Sequence, residues 1–391
     1  MSSPVFRRGL GLKDVIAAQL AESYQSDLID RLKADGFTYR AGRLTIHLAH
    51  EFGFCYGVDR AVDYAYQTRE RFPDRRVYLK GEIIHNPHVN QRLRALGIRF
   101  LTDSDVNLAA LGPDDVVILP AFGVTVSEME DLERQGCTLV DTTCGSVLNV
   151  WKSVRRYAEA GFTAVIHGKA WHEETRATAS QAMRYRDGRY LVVSDVAEAG
   201  QVCKYIREPG DPQAFLTRFR EALSPGFDPD RDLQRIGLAN QTTMLMSESL
   251  EVEGLFRSAM RDRYGDAELA QRFSAFDTIC RATEDRQDAV TALLEATRLD
   301  LMIVIGGYNS SNTRNLARIC AARVPTFHVV DPGCLVSAES IRHRPAEGDR
   351  EVTTRNWLPA TGDLAVGLTS GASTPDNLVG ATVERLTQLC R

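Results

Sequence analysis

The chain has 391 residues, 43% of them hydrophobic and 25% charged, with a formal net charge of −5. That length carries two or three domains with substantial cores, and the negative balance argues against a surface built to coat nucleic acid. No apolar run is long enough to span a bilayer, and Arg7 and Arg8 have no apolar stretch behind them, so neither membrane insertion nor secretion is expected. A cytoplasmic, reducing setting follows, in which eight cysteines serve as metal ligands or core residues rather than disulfides. Cys137, Cys203, Cys320, Cys334 and Cys390 read as core.

In chain order, residues 1–43 read as a polar, partly helical extension, with Val15, Leu20, Leu28 and Leu32 spaced for one helix face. A first α/β module is expected over 44–143, beginning with a strand at 44–49. A second covers 144–276, and a third covers 277–391 with a C-terminal strand and helix. Short apolar strands are predicted at 77–79, 116–119, 164–166, 236–239, 301–305 and 364–368. Continuous apolar runs that end in glycine or a polar loop suit buried parallel strands. The proline-rich stretch 207–232 reads as a surface insertion around a helix at 214–223. Its Asp228, Asp230 and Asp232 do not make a calcium loop, because Leu233 and Ala239 stand where the turn glycine and closing glutamate belong. Pro345 to Asp349 marks a second loop.

One unit occurs three times. Cys55, Cys144 and Cys280 each precede an amphipathic helix, a strand and a glycine (Gly81, Gly168, Gly306) that follows its cysteine by 26, 24 and 26 residues. The lead-in repeats as well, since Asp141-Thr142-Thr143-Cys144 is echoed by Asp277-Thr278-Ile279-Cys280. Periodic copies suggest related modules. A cysteine at a helix entry meets the positive end of the macrodipole and free N–H groups, which favour a thiolate. Three such thiolates suggest a four-iron cluster with one iron lacking a protein ligand, a Lewis acid open to substrate. Spacings of 89 and 136 residues fit neither a ferredoxin run nor a zinc ribbon; zinc with a histidine as fourth ligand is the competing reading.

The loops add anion chemistry. Asn240-Gln241-Thr242-Thr243, Ser310-Ser311-Asn312 and Ser370-Gly371-Ala372-Ser373-Thr374 all follow apolar strands, where small hydroxyls and amides suit a phosphate. The alternative for any one of them is ordinary helix capping. His85 and His172 add donors. Glu174 is the acid placed among these groups; an enclosed carboxyl can carry a proton at neutral pH. No dinucleotide fingerprint or Walker loop is present, so electrons must come from outside.

Phe54-Cys55-Tyr56-Gly57-Val58-Asp59-Arg60-Ala61, Glu82-Ile83-Ile84-His85-Asn86-Pro87, His172-Glu173-Glu174-Thr175, Gln241-Thr242-Thr243, Cys280 with Ala282-Thr283 and Asp288-Ala289, Asn309-Ser310-Ser311-Asn312 and Gly371-Ala372-Ser373-Thr374-Pro375-Asp376 occur in one order. Together they resemble the IspH/LytB family of 4-hydroxy-3-methylbut-2-enyl diphosphate reductases, from about residue 44 to the C-terminus. The extension, the insertion near 210 and Phe122 resemble its longer plastid and cyanobacterial branch. The resemblance implies three pseudo-symmetric α/β modules around a central [4Fe-4S] cluster. It further implies reductive dehydroxylation of an allylic diphosphate to isopentenyl and dimethylallyl diphosphate, with electrons from a ferredoxin or flavodoxin.

By the same resemblance Cys55, Cys144 and Cys280 would hold the cluster, Glu174 would deliver a proton and Thr242 would bond the hydroxyl end. His85, His172, Ser310, Ser311, Asn312 and Ser373 would cradle the diphosphate, with Thr243 beside the proton path. Two positions depart from the common pattern: Phe122, where many bacterial members have histidine, and Gly145, where the family usually has proline at the first helical position. Glycine there is expected to loosen the helix start. Another three-cysteine cluster enzyme, of quinolinate-synthase or dehydratase type, would not require both the His-Glu-Glu and the Ser-Ser-Asn loop. A non-catalytic redox sensor would have no use for Glu174 or a phosphate cradle.

Overall fold

The computed structural model describes residues 4–276 and 278–391. They form two compact units, one of Phe6–Leu108, Asp115–Ile118 and Arg281–Arg391, the other of Leu119–Cys280 with Ala109–Asp114 and the N-terminal residues to Val5. The expected α/β class holds, with parallel sheets in both units. All seven expected strands are present to within two residues at each end.

In the first unit a five-stranded sheet runs in the order Thr326–Val329, Leu301–Ile305, Leu364–Ser370, Leu44–Leu48, Thr38–Ala41. The first four strands are parallel and the last is antiparallel. Leu301–Ile305 is apolar throughout and buried at every position, as a strand covered on both faces must be. Leu44–Leu48, which opens the chain after the extension, pairs with the C-terminal strand in the register Leu44↔Leu364. Two strands more than three hundred residues apart in sequence are thus neighbours in one sheet. In the same unit Arg76–Leu79 lies parallel to Arg99–Phe100 and, through Val77↔Val116, to Asp115–Ile118. Arg76 grips the fully buried Asp115 carboxylate with two N–H donors, at 2.7 and 2.9 Å.

The extension departs from the single stripe expected of it. It folds as two helices, Lys13–Tyr24 and Asp27–Ala34, and the edge strand Thr38–Ala41. Ser26 accepts the Ile29 N–H and starts the second helix afresh, which shifts the helical phase. Val15 is therefore exposed, while Ile16, Ile29 and Leu32 are buried.

The second unit holds a parallel sheet in the order Phe273–Ala275, Ile236–Asn240, Thr163–His167, Tyr190–Val193. The insertion is less superficial than its prolines suggest. The expected single helix breaks at Phe219 into Pro212–Arg218 and a 3₁₀ turn at Arg220–Ala222. Phe215, Phe219 and Phe227 are buried in the same core as Leu191, Leu238 and Phe256, so burying three rings outweighs helix continuity. No helix of the described residues is long and apolar enough to cross a membrane.

Two strand histidines, His167 and His328, are buried without an ion-pair partner among the described residues, and burial, which for His167 outweighs the charge of Asp195, holds them neutral. Burial pushes His167 down to about 4, and His328 likewise down to about 4. In the unfolded chain each protonates near its ordinary value, so the unfolded state binds the extra protons between about pH 6.5 and 4. Stability is therefore at its full value above that window and falls as pH drops through it, by on the order of 3 kcal/mol per histidine. Urea unfolding midpoints measured across this range should fall steeply, and a flat profile would contradict the neutral assignment.

Candidate active site

The three cysteines are tied down in one way. The Cys55 N–H donates to Ala372 O at 3.1 Å, Cys144 N–H to Ala121 O at 2.9 Å and Cys280 N–H to Thr242 O at 3.2 Å. Each acceptor is the second residue beyond a parallel strand, after Leu364–Ser370, Asp115–Leu119 and Ile236–Asn240 respectively. The residue two before each cysteine also bonds to the last residue of that same strand. Thr142 Oγ1 donates to Leu119 O at 2.6 Å and Thr278 Oγ1 to Asn240 O at 3.2 Å. At Cys55 the roles reverse, and Gly53 N–H donates to Ser370 Oγ at 2.9 Å. This gives the repeated Asp-Thr lead-in a physical meaning, although Asp277 lies outside the described residues.

Cys55 and Cys144 cap the helices Tyr56–Arg71 and Gly145–Glu159 with extended backbone, and Cys280 directly precedes Arg281–Ala296. All three are half-buried thiols. Cys137, Cys203, Cys320 and Cys334 are buried, and Cys390 packs at the edge of a core, so these five are core cysteines as expected. Burial pushes the Cys203 and Cys320 thiols up to about 12, which keeps them protonated and inert.

In the second unit Glu174 is buried at 2% exposure on the first turn of helix Glu173–Ala182. Its two carboxylate oxygens accept from one residue, the N–H of Thr242 at 2.6 Å and the Thr242 hydroxyl at 3.0 Å. Thr242 thereby links the acid to Cys280 through its own backbone. His172 caps the same helix: Nδ1 accepts the Glu174 N–H at 3.2 Å, which places the proton of the neutral ring on Nε2. The edge of one ring faces the other between Phe122 and His172, with centroids 5.8 Å apart.

Sequence reasoning gave Gln241 no role. Its Oε1 accepts from Lys169 N–H and from Thr175 Oγ1, both at 3.1 Å, and its Nε2 donates to Thr243 Oγ1 at 2.9 Å. It joins the loop carrying Glu174 to the loop carrying Thr242 and Thr243. The strand-closing Gly168 is needed for that contact, because a Cβ there would meet Gln241 Cβ and Thr175 Oγ1 at 2.9 Å each. The only sequence signal for Gln241 was its place at the head of the Gln-Thr-Thr run.

In the first unit His85, Ser310, Ser311, Asn312 and Ser373 are all buried. Ser310 caps helix Ser311–Ala321 and accepts the Thr313 N–H at 3.2 Å, a role that leaves its O–H as a separate donor. Asn312 Oδ1 accepts the Ala372 N–H at 3.0 Å, which joins this helix to the strap that anchors Cys55. Ser373 Oγ donates to His85 O at 3.3 Å, and His85 Nδ1–H donates to Glu82 at 2.9 Å. The loop before His85 is braced by Asn90, also unforeseen, which bonds Ile83 N–H and Ile84 O. Gly306 takes a left-handed φ of 153°, where a Cβ would meet Thr313 and Thr374 hydroxyls at 2.6 and 2.8 Å. Of the expected site residues, Cys55, His85, Ser310, Ser311, Asn312 and Ser373 belong to the first unit, and Cys144, His172, Glu174, Thr242, Thr243 and Cys280 to the second.

Parallel sheets whose exit loops anchor half-buried cysteines and carry hydroxyl, amide and imidazole groups define an α/β protein equipped for metal-assisted chemistry on an anionic ligand. The family model described as LytB protein matches residues 46–387, and the chain belongs to that family. The 4-hydroxy-3-methylbut-2-enyl diphosphate reductase of Gloeobacter violaceus is 49% identical over 395 aligned residues, covering 99% of this chain and 93% of the relative. That of Synechococcus sp. (strain RCC307) is 49% identical over 386, covering 98% and 93%. A solved (E)-4-hydroxy-3-methyl-but-2-enyl diphosphate reductase, the terminal enzyme of the non-mevalonate pathway, aligns at 27% identity and TM-score 0.52, covering 88% of this chain and 99% of that one. The Plasmodium falciparum E-1-hydroxy-2-methyl-but-2-enyl-4-diphosphate reductase shares the fold, with TM-score 0.61 at 21% identity and coverage of 88% and 87%.

Gly145 can be tested directly. It occupies the first helical position, a Cβ there meets nothing within 4 Å, and Cys144 before it has the extended φ −62°, ψ 143° that a following proline requires. Gly145→Pro should stabilise the fold by about 0.5–1 kcal/mol, read as a higher thermal midpoint, and should lengthen the lifetime in air of a bound cluster. An unchanged lifetime would show that the helix start does not limit cluster retention.

Proposed function

We propose that this chain removes the hydroxyl of (E)-4-hydroxy-3-methylbut-2-enyl diphosphate, giving isopentenyl and dimethylallyl diphosphate, the last step of the non-mevalonate isoprenoid route. Near full-length similarity to reductases of that name supports the reading. The observation within the site that carries it is the chain of bonds from Cys280 through Thr242 to the buried carboxylate of Glu174. Those bonds link a buried carboxyl, through the single residue Thr242, to one of the three anchored cysteines, which supports pairing an acid with a thiol-held cluster.

The donor set fits an iron–sulfur cluster: three half-buried thiols, anchored alike, stand apart from four buried ones. Cys55, Cys144 and Cys280 would hold a [4Fe-4S] cluster with one iron not ligated by protein. When bound, it supplies single electrons from an external ferredoxin or flavodoxin and a Lewis acid at the hydroxyl end of the substrate.

The remaining work falls to the chain's own residues. Ser310, Ser311 and Asn312 lie at the positive end of helix Ser311–Ala321 and, with His85, His172 and Ser373, bind the diphosphate. Thr243, held by Gln241, stands next to Thr242 beside the proton path. Glu174 gives a proton to the departing hydroxyl oxygen, which leaves as water, while the allyl frame takes up two electrons and a second proton. Thr242 fixes the Glu174 carboxyl and hydrogen-bonds the same oxygen of the substrate. Enclosure of Glu174 keeps bulk water from competing for its proton.

Glu174→Gln retains shape without the acid. It should bind the substrate with little change in affinity and lose on the order of a hundredfold or more in turnover. Near-normal turnover removes Glu174 from the mechanism. Ser311→Ala should instead weaken substrate affinity by about tenfold, and a pure turnover defect contradicts its place in the cradle.

A further inference from the structure

Arg286 lies on the helix that follows Cys280 and is 3% exposed. Its two terminal nitrogens donate to main-chain oxygens, Nη1 to Ala282 O at 2.8 Å and Nη2 to Gly53 O at 2.9 Å. Its Nε is buried and has no hydrogen-bond partner among the described residues. No ion pair of the described residues includes it, although acids at Glu284, Asp285 and Asp288 share its helix. A guanidinium stays charged at any ordinary pH, and a buried charge without a counter-charge is costly to maintain. The two carbonyls satisfy its terminal nitrogens but leave Nε unbonded and, among the described residues, its charge unmatched.

The position of that charge is specific. Gly53, whose carbonyl it holds, stands two residues before Cys55, and the Gly53 N–H is fixed by Ser370. Arg286 therefore grips the turn that presents Cys55. Three thiolates outweigh the positive charge of an oxidised four-iron core, so a cluster held there is anionic. On the reading of Cys55 as a cluster ligand, we infer that Arg286 is the buried counter-charge of the cluster and makes cluster binding compensate a charge that destabilises the empty protein. It is a charge-balancing and positioning residue and takes no part in proton transfer.

The test compares full-length wild type, Arg286→Met and Arg286→Lys, each without cluster and after anaerobic reconstitution with iron and sulfide. The methionine fills similar space without charge. Without cluster, Arg286→Met should melt higher than wild type by about 3 °C or more, because the unmatched charge is gone. With cluster, its visible absorbance should decay in air about tenfold faster, because the counter-charge is gone as well. Arg286→Lys keeps the charge and should stay within about threefold of wild type in decay. A merely structural brace predicts the opposite pattern: both variants melt lower without cluster and shed it alike, and that result overturns the inference. Wild-type protein that takes up no iron and sulfide overturns the cluster reading itself, and the inference with it.

Discussion

The interaction on which the site depends is the hydrogen bond from each cysteine N–H to a carbonyl two residues beyond a parallel strand. Ala372, Ala121 and Thr242 supply those carbonyls to Cys55, Cys144 and Cys280. A residue at a helix entry has extended backbone and an amide outside the helical ladder. Donating that amide to a strand-exit loop satisfies it and fixes the thiol's origin beside the end of a buried strand. The residues that follow the three acceptors are Ser373, Phe122 and Thr243. Each cysteine is thus coupled through one peptide unit to the side chain that follows its anchor.

The loops built on this common anchor differ in what they carry. Ser373 is tied to the His85 carbonyl, Phe122 to the His172 ring, and Thr243 to Gln241. The Thr242 loop holds an enclosed acid, and it does so with both a main-chain and a side-chain donor. Two donors on one carboxylate leave it little rotational freedom.

Much of this was legible in the sequence, for identifiable reasons. The strands were readable because buried parallel strands are apolar without interruption, as Leu301–Ile305 is at every position. The cysteines and their lead-in were readable because the same local problem is solved repeatedly, with Thr142 and Thr278 bonding the ends of their strands. The unreadable parts depend on distant partners. Nothing local tells that Leu44–Leu48 pairs with Leu364–Ser370, that Phe215 and Phe219 reach a core, or that Arg286 reaches Gly53. Gln241 was hidden differently: its sequence position was noticed, but its amide bonds two loops that only folding brings together.

The central claim is that a cluster held by these cysteines reduces an allylic diphosphate. The most direct measurement is anaerobic turnover of (E)-4-hydroxy-3-methylbut-2-enyl diphosphate by reconstituted protein with a chemical reductant, followed by separation of the products. The account predicts isopentenyl and dimethylallyl diphosphate, formed in proportion to the iron and sulfide bound and absent when Cys280 is replaced by serine. Cluster-loaded protein that leaves the substrate unchanged, or a serine variant that still turns it over, would contradict the account.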